Sequence, residues 1–170
     1  MTTRTLLLID VQRNMLLPPE PVPGAAAVAD RIAGILERAR DHGATVIHVR
    51  NNGGADDPDA PGSTGWELIH DVAGNEAIVD KDVPDSFAGT DLGDLLADDS
   101  EIVVVGMQSQ YCVRETSLAA LQRGLAVVLV RGAHATYDEG AQTAAEISAA
   151  IEAELVQAGA RLVVPGDVTF

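Results

Sequence analysis

A single cysteine, Cys112, stands in the 170 residues, which excludes an internal disulfide and any multi-cysteine zinc site and fits a reducing compartment. Positive charge is also scarce: 11 Lys and Arg face 26 Asp and Glu, for a formal net charge of −15. Nucleic acid and anionic membrane are therefore poor partners, since both would be repelled. Aromatic residues make up 3%, so the core must be built from Val, Leu, Ile and Ala. No stretch approaches the ~20 apolar residues of a membrane span. The opening run Met1–Ile9 is cut short by Asp10, too early for a signal peptide. The expectation is a mature cytoplasmic protein of one domain, residues 1–170, long enough to bury a sizeable core.

Short apolar runs alternate with longer helical patterns. Leu6–Ile9, Thr45–Val49, Ala77–Val79, Ile102–Val105, Leu125–Val130 and Leu162–Val164 read as strands. After Gly24, the positions Val28, Ile32, Ile35, Leu36 and Ala39 recur at helical spacing, and Gly43 closes that helix. Thr90 reads as the N-cap of a short helix through Leu92, Leu95 and Leu96. A helix carrying Val113, Leu118 and Leu121 ends at Gly124, and an Ala-rich helix spans roughly Glu139–Ala158. The polar segment Asn51–Gly65 is longer than an ordinary connection, which points to a binding loop. Near-uniform apolar strands separated by amphipathic helices mean an α/β fold: three layers, with a mostly parallel six-stranded sheet between helices.

In open parallel sheets, ligands bind beyond the carboxyl ends of the strands. Asp10 ends the first strand, Lys81 lies just past the third, and Cys112 follows the buried Ile102–Val105 run by a short loop. A carboxylate, an ammonium and a thiol on one rim suffice for covalent hydrolysis. A helix start and a nearby Lys81 are both expected to lower the thiol pKa. Each residue also has a plainer reading. A lone cysteine is commonly an inert buried hydrophobe, an Asp at a strand end a turn former, and Lys81 between Asp80 and Asp82 a solvated charge.

Taken together, three segments carry a resemblance. Leu-Leu-Ile-Asp-Val-Gln (Leu7–Gln12), Val-Asp-Lys (Val79–Lys81) with Ser86–Phe87 and Gly89–Leu92 behind it, and Gly-Met-Gln-Ser-Gln-Tyr-Cys-Val (Gly106–Val113) resemble the isochorismatase-like cysteine hydrolases in order and spacing. That family includes nicotinamidases and N-carbamoylsarcosine amidases, and the similarity spans nearly the whole chain. The resemblance implies Asp10 as general base and acid, Lys81 as its electrostatic partner and Cys112 as nucleophile. It further implies a cis peptide between Met107 and Gln108, with the backbone N–H groups of Gln108 and Cys112 as the oxyanion hole. Self-association as a dimer or larger symmetric assembly is implied too.

The sequence departs from the metal-dependent nicotinamidases. Val49-Arg50-Asn51-Asn52-Gly53-Gly54 lacks their Asp-x-His motif, and His42, His48, His70 and His134 show no ligand spacing. No metal and no cofactor are expected, and nicotinamide is disfavoured as substrate. Gln12, Trp66, Phe87, Tyr111 and His134 are candidates for the substrate pocket, though Trp66 reads equally well as a cap on the core and His134 as a structural histidine. The expected function is hydrolysis of a small carboxamide or ureido C–N bond through a thioacyl enzyme. The alternatives are isochorismate-type vinyl-ether hydrolysis and a catalytically idle binding protein of the same fold.

Overall fold

The computed structural model describes residues 4–96 and 101–170; Met1–Thr3, at the start of the opening run, lie outside the described residues. Its centre is built from the apolar runs. Leu6, Leu7, Leu8 and Ile9 of β1 (Arg4–Ile9) are all completely buried, as expected of a strand covered on both faces. Each such side chain contributes roughly 2 kcal/mol by leaving water. The other strands are β2 (Thr45–Asn51), β3 (Ala77–Lys81), β4 (Glu101–Met107), β5 (Ala126–Ala135) and β6 (Arg161–Val163). They form one sheet in the order β3-β2-β1-β4-β5-β6, and every pairing is parallel.

Alternation along the strands divides the core in two. Leu6, Leu8, Val46, Val103, Val105, Val128 and Val130 face α2 (Ala25–Asp41), which buries Val28, Ile32, Ile35, Leu36 and Ala39 against them. Leu7, Ile9, Ile47, Val49, Val79, Ile102 and Val104 face the other way. They are covered by Leu92 of α3 (Leu92–Leu95), Ala119 and Ala120 of α4 (Arg114–Gln122), and Ile147, Ile151 and Leu155 of α5 (Ala144–Ala158). A one-turn helix, α1 (Arg13–Leu16), follows β1.

Several boundaries differ from the sequence expectation. β3 runs on through Asp80 and Lys81 because it is an edge strand: Asp80 turns to solvent and Lys81 turns in. α5 begins at Ala144 rather than near Glu139. Thr143 accepts from the Glu146 N–H while the Glu146 carboxylate accepts from the Thr143 N–H, a reciprocal cap that starts the helix there. Asp91, not Thr90, occupies the cap position of α3, although the Thr90 hydroxyl still accepts from Leu92 N–H at 3.3 Å. Cys112 lies in a π-helical turn, Ser109–Val113, that precedes α4.

The chain runs outward from β1 to β2 and β3, then returns to the far side of β1 to place β4. Strand order therefore reverses between β1 and β4, the position where parallel sheets open a crevice. Asp10 leaves one wall of that crevice and the Cys112 turn leaves the other.

Candidate active site

At the crevice the backbone is unusually constrained. Ile9 pairs with Gly106 across β1 and β4, and a Cβ on Gly106 would sit 1.9 Å from the Ile9 carbonyl oxygen while φ there is +124°. Only glycine fits such an approach. Asp10, the residue that follows β1, has φ +51° and is the one non-glycine residue with positive φ among the described residues. Asp tolerates this conformation better than most side chains, at a cost of order 1 kcal/mol. Its N–H still bonds to Val49 O at 2.9 Å. After β4 the Met107–Gln108 peptide is cis, and the Gln108 carbonyl accepts from the N–H groups of Tyr111 and Val113, both at 3.2 Å.

Lys81 reaches this point from two strands away. Neighbouring strands lie about 4.8 Å apart, so a residue on β3 needs a long side chain to touch one on β1. Lys81 is 1% exposed, and its Nζ lies 3.1 Å from Asp10 Oδ2 and 3.2 Å from Cys112 Sγ. A third contact, 2.8 Å to Asn51 Oδ1, completes the three donors of an ammonium. Asn51 stands beside Lys81 because the parallel register pairs them directly. Among the described residues the buried Asp10 Oδ1 has no hydrogen-bond partner.

Charge and burial decide the protonation states. Burial pushes the Asp10 carboxyl above its usual range, against the opposing pull of Lys81. The Cys112 thiol is pushed up to about 12, first by burial and then by the Asp10 charge, with Lys81 only partly offsetting them. This reverses the expectation of a lowered thiol pKa: the ammonium is present, but a dry site and an adjacent carboxylate outweigh it. Burial works against the Lys81 ammonium, and the Asp10 charge and the thiol lift it back above its ordinary value. The site thus sets an ammonium beside a thiol and a carboxyl group that both hold protons more tightly than usual.

The isochorismatase domain profile matches residues 4–160 of this chain. The chain belongs to the isochorismatase family. It is 45% identical over 139 residues, 79% of its length, to a streptothricin hydrolase of Streptomyces noursei, and 44% identical over 139 residues to a second one from the same organism. It spans 50% and 55% of those two proteins, about half their length. Maleamate amidohydrolase of Pseudomonas putida is 28% identical over 148 residues, which cover 74% of this chain and 69% of that one. Among solved structures, one described as an isochorismatase hydrolase from Oleispira antarctica superposes with a TM-score of 0.90 at 31% identity, covering 98% of this chain and 95% of that one.

In this isochorismatase-family chain the residues singled out as pocket candidates have varied placements. Gln12 is fully buried and does not offer its amide to a ligand: Oε1 accepts from Asn51 N–H at 2.8 Å, and Nε2 donates to the carbonyls of Asn51 and Trp66, each at 3.1 Å. Phe87 is packed in the core, with the Arg123 guanidinium 4.3 Å from its ring centroid. Trp66 is half-buried. Its Nε1–H donates to Asn52 Oδ1 at 2.9 Å, and the Arg50 guanidinium lies 3.4 Å over its ring. Tyr111 is exposed and donates its hydroxyl to Glu139 at 3.0 Å.

His134 is buried, with Nδ1 2.8 Å from Ser109 Oγ in the Cys112 turn. It lines a cavity of about 500 Å³ with Arg31, Thr136, Ser148 and Glu152, and a second cavity of about 280 Å³ lies between α1, Pro58, Gly65 and Tyr137. Neither is lined by Asp10, Lys81 or Cys112. Among the described residues no three His, Cys, Asp or Glu side chains are grouped to hold a metal ion, and none of the helices is long and apolar enough to cross a membrane. Asn51 and its partner Asp59 were not legible as site residues from the sequence. The available signal was the long polar segment Asn51–Gly65, which contains both residues and reads as a binding loop.

Proposed function

We propose that this chain is a cysteine amidohydrolase that cleaves a small carboxamide or ureido C–N bond through a thioacyl intermediate on Cys112. The observation that carries the reading is the buried Lys81 ammonium, in contact with Asp10 Oδ2 and Cys112 Sγ together at the switch point of the sheet. Asp10 takes the Sγ proton as sulfur attacks the carbonyl carbon, so a thiol that is neutral at rest still acts as a nucleophile. The N–H groups of Gln108 and Cys112 receive the developing oxyanion. Asp10, now a carboxylic acid, gives its proton to the departing nitrogen as the C–N bond breaks. Water then attacks the thioester, Asp10 accepts a proton from it, and the Cys112 sulfur leaves and is reprotonated. Lys81 stays charged throughout and holds carboxylate and sulfur in place.

Relatives whose names denote hydrolysis of streptothricin and of maleamate support a substrate with a cleavable amide. The same reading takes a small molecule as substrate, needs no cofactor, and has a cytoplasmic homo-oligomer as the working form. The test is a panel of maleamate, N-carbamoyl amino acids and streptothricin, followed by ammonia release and product mass. Turnover should vanish in Cys112→Ala, and an acid quench should trap an acyl group on Cys112. Undiminished turnover by Cys112→Ala would refute the covalent route, and pyruvate release from isochorismate in place of amide cleavage would select vinyl-ether hydrolysis.

A further inference from the structure

Of the three acceptors around Lys81 Nζ, two take part in the proposed chemistry and one does not. Asn51 Oδ1 makes the shortest of the three contacts, 2.8 Å. Its amide has only one workable orientation. Nδ2 donates to Asp59 Oδ2 at 2.7 Å, and an ionised carboxylate can only accept. A flipped amide would set oxygen against oxygen at Asp59 and N–H groups against the ammonium at Lys81.

Both partners are held firmly. The Asn51 backbone is clamped on N–H and carbonyl by the Gln12 side chain. Asp59 is buried, its carbonyl accepts from Gly53 N–H at 2.9 Å, and a Cβ on Gly53 would lie 2.1 Å from Asp59 Oδ1. The 52–65 loop therefore folds a carboxylate under the site, and glycine at 53 leaves room for it.

We propose that Asn51, oriented by Asp59, is a positioning residue that holds the Lys81 ammonium between Asp10 and Cys112. The proposal rests on the reading of those three as the reacting groups. It has an electrostatic consequence, because the titratable groups acting on Asp10 are Lys81, Cys112 and Asp59. Lys81 favours the Asp10 carboxylate and the Asp59 charge disfavours it. Asp59 thus aims the amide and adds a smaller upward push to the proton affinity of Asp10, behind burial and Lys81.

Alkylation of Cys112 by iodoacetamide between pH 5 and 9, followed by mass spectrometry, tests this without any substrate. The thiolate that forms by proton transfer to Asp10 gives the rate an acid limb where the pair gains its second proton. Asp59→Asn should move that limb to lower pH by about half to one unit. The swap Asn51→Asp with Asp59→Asn keeps a hydrogen bond between the two positions but brings the carboxylate against Lys81, and should move the limb to higher pH by a similar amount. Asn51→Leu should slow alkylation about tenfold, by leaving the ammonium free to move away from sulfur.

A merely structural role would lower the melting temperature in these variants and leave the limb in place. Limbs unmoved in both Asp59→Asn and the swap would overturn the proposal. Should Asn51→Leu fail to fold, Asp59→Asn and the swap decide. A flat profile in the unaltered protein would overturn both this proposal and the amidohydrolase reading, whereas failure of the amide panel with shifted limbs would sink only the latter.

Discussion

Replacing Asp10, the proposed base, should make the thiol more reactive and the proposed hydrolysis worse. In Asp10→Asn the carboxylate that raises the Cys112 pKa is gone, while the Lys81 ammonium that lowers it remains 3.2 Å from sulfur. Contacts of 3.1 Å from Nζ to Asp10 Oδ2 and 3.2 Å from Nζ to Sγ put the carboxylate oxygen no more than about 6.3 Å from sulfur, so at an effective dielectric of about 20 the lost repulsion is at least about 2.6 kcal/mol. That is about two pKa units, or about 100-fold more thiolate at pH 8. A less basic thiolate is also a weaker nucleophile, with a Brønsted slope near 0.4–0.5, so the net gain in iodoacetamide rate is about tenfold. Amide hydrolysis should fall at least about 100-fold in the same variant, because neither the attacking sulfur nor the leaving nitrogen has its proton partner. Alkylation by mass spectrometry and ammonia release, on one preparation, check the two halves. Alkylation in Asp10→Asn that is unchanged or slower would show that Asp10 does not hold the thiol proton on, and the electrostatic account of the site would fail with it.

Three further outcomes follow from the fold. Gly106→Ala forces a Cβ to within 1.9 Å of the Ile9 carbonyl at φ +124°, and should cost about 3 kcal/mol or more by urea unfolding while also disturbing Asp10. Glu76, held down to about 2 chiefly by its hydrogen bonds to Arg40, has a folded pKa below its unfolded value. Its stabilisation is therefore present above about pH 4.5 and fades as pH falls toward 2. Glu76→Gln should accordingly lose about 2 kcal/mol at pH 7 and converge on the unaltered protein near pH 2. Thr143→Ala removes one half of the reciprocal cap of α5 and should lower stability by about 1 kcal/mol, read from the thermal midpoint.

The sheet was legible in the sequence because its strands are buried on both faces. Runs such as Leu6–Ile9 and Ile102–Val105 have no polar face to obscure them. Strand ends were less legible where the chain leaves the core. Asp80 and Lys81 read as lying just past the strand, yet both belong to β3, where one pairs with Arg50 at 2.7 Å on the exposed edge and the other turns inward. The stretch before Ala144 reads Glu139-Gly140-Ala141-Gln142-Thr143, with a glycine and a threonine that disfavour helix, and the Thr143 and Glu146 pair marks where the helix starts. Asp10, Lys81 and Cys112 could be placed on one rim from strand ends alone. The sign of the thiol shift could not, because it depends on how dry the site is and on a carboxylate brought in by a different strand. The tie between Asn51 and Asp59 was hidden for the same kind of reason: it exists only once the 52–65 loop folds back on the end of β2.

Lys81 belongs to β3, the edge strand, whose one sheet neighbour among the described residues is β2. Edge strands exchange their amide protons through local openings that cost less than global unfolding. Each such opening of β3 withdraws the ammonium from Asp10 and sulfur while β1 and β4, in the middle of the sheet, keep their own residues in place. The rate at which the site disassembles is thus the breathing rate of one strand. Glu76, just before that strand, is bonded to Arg40 of α2, His48 of β2 and the Ala73 N–H, and so ties the start of β3 to its neighbours.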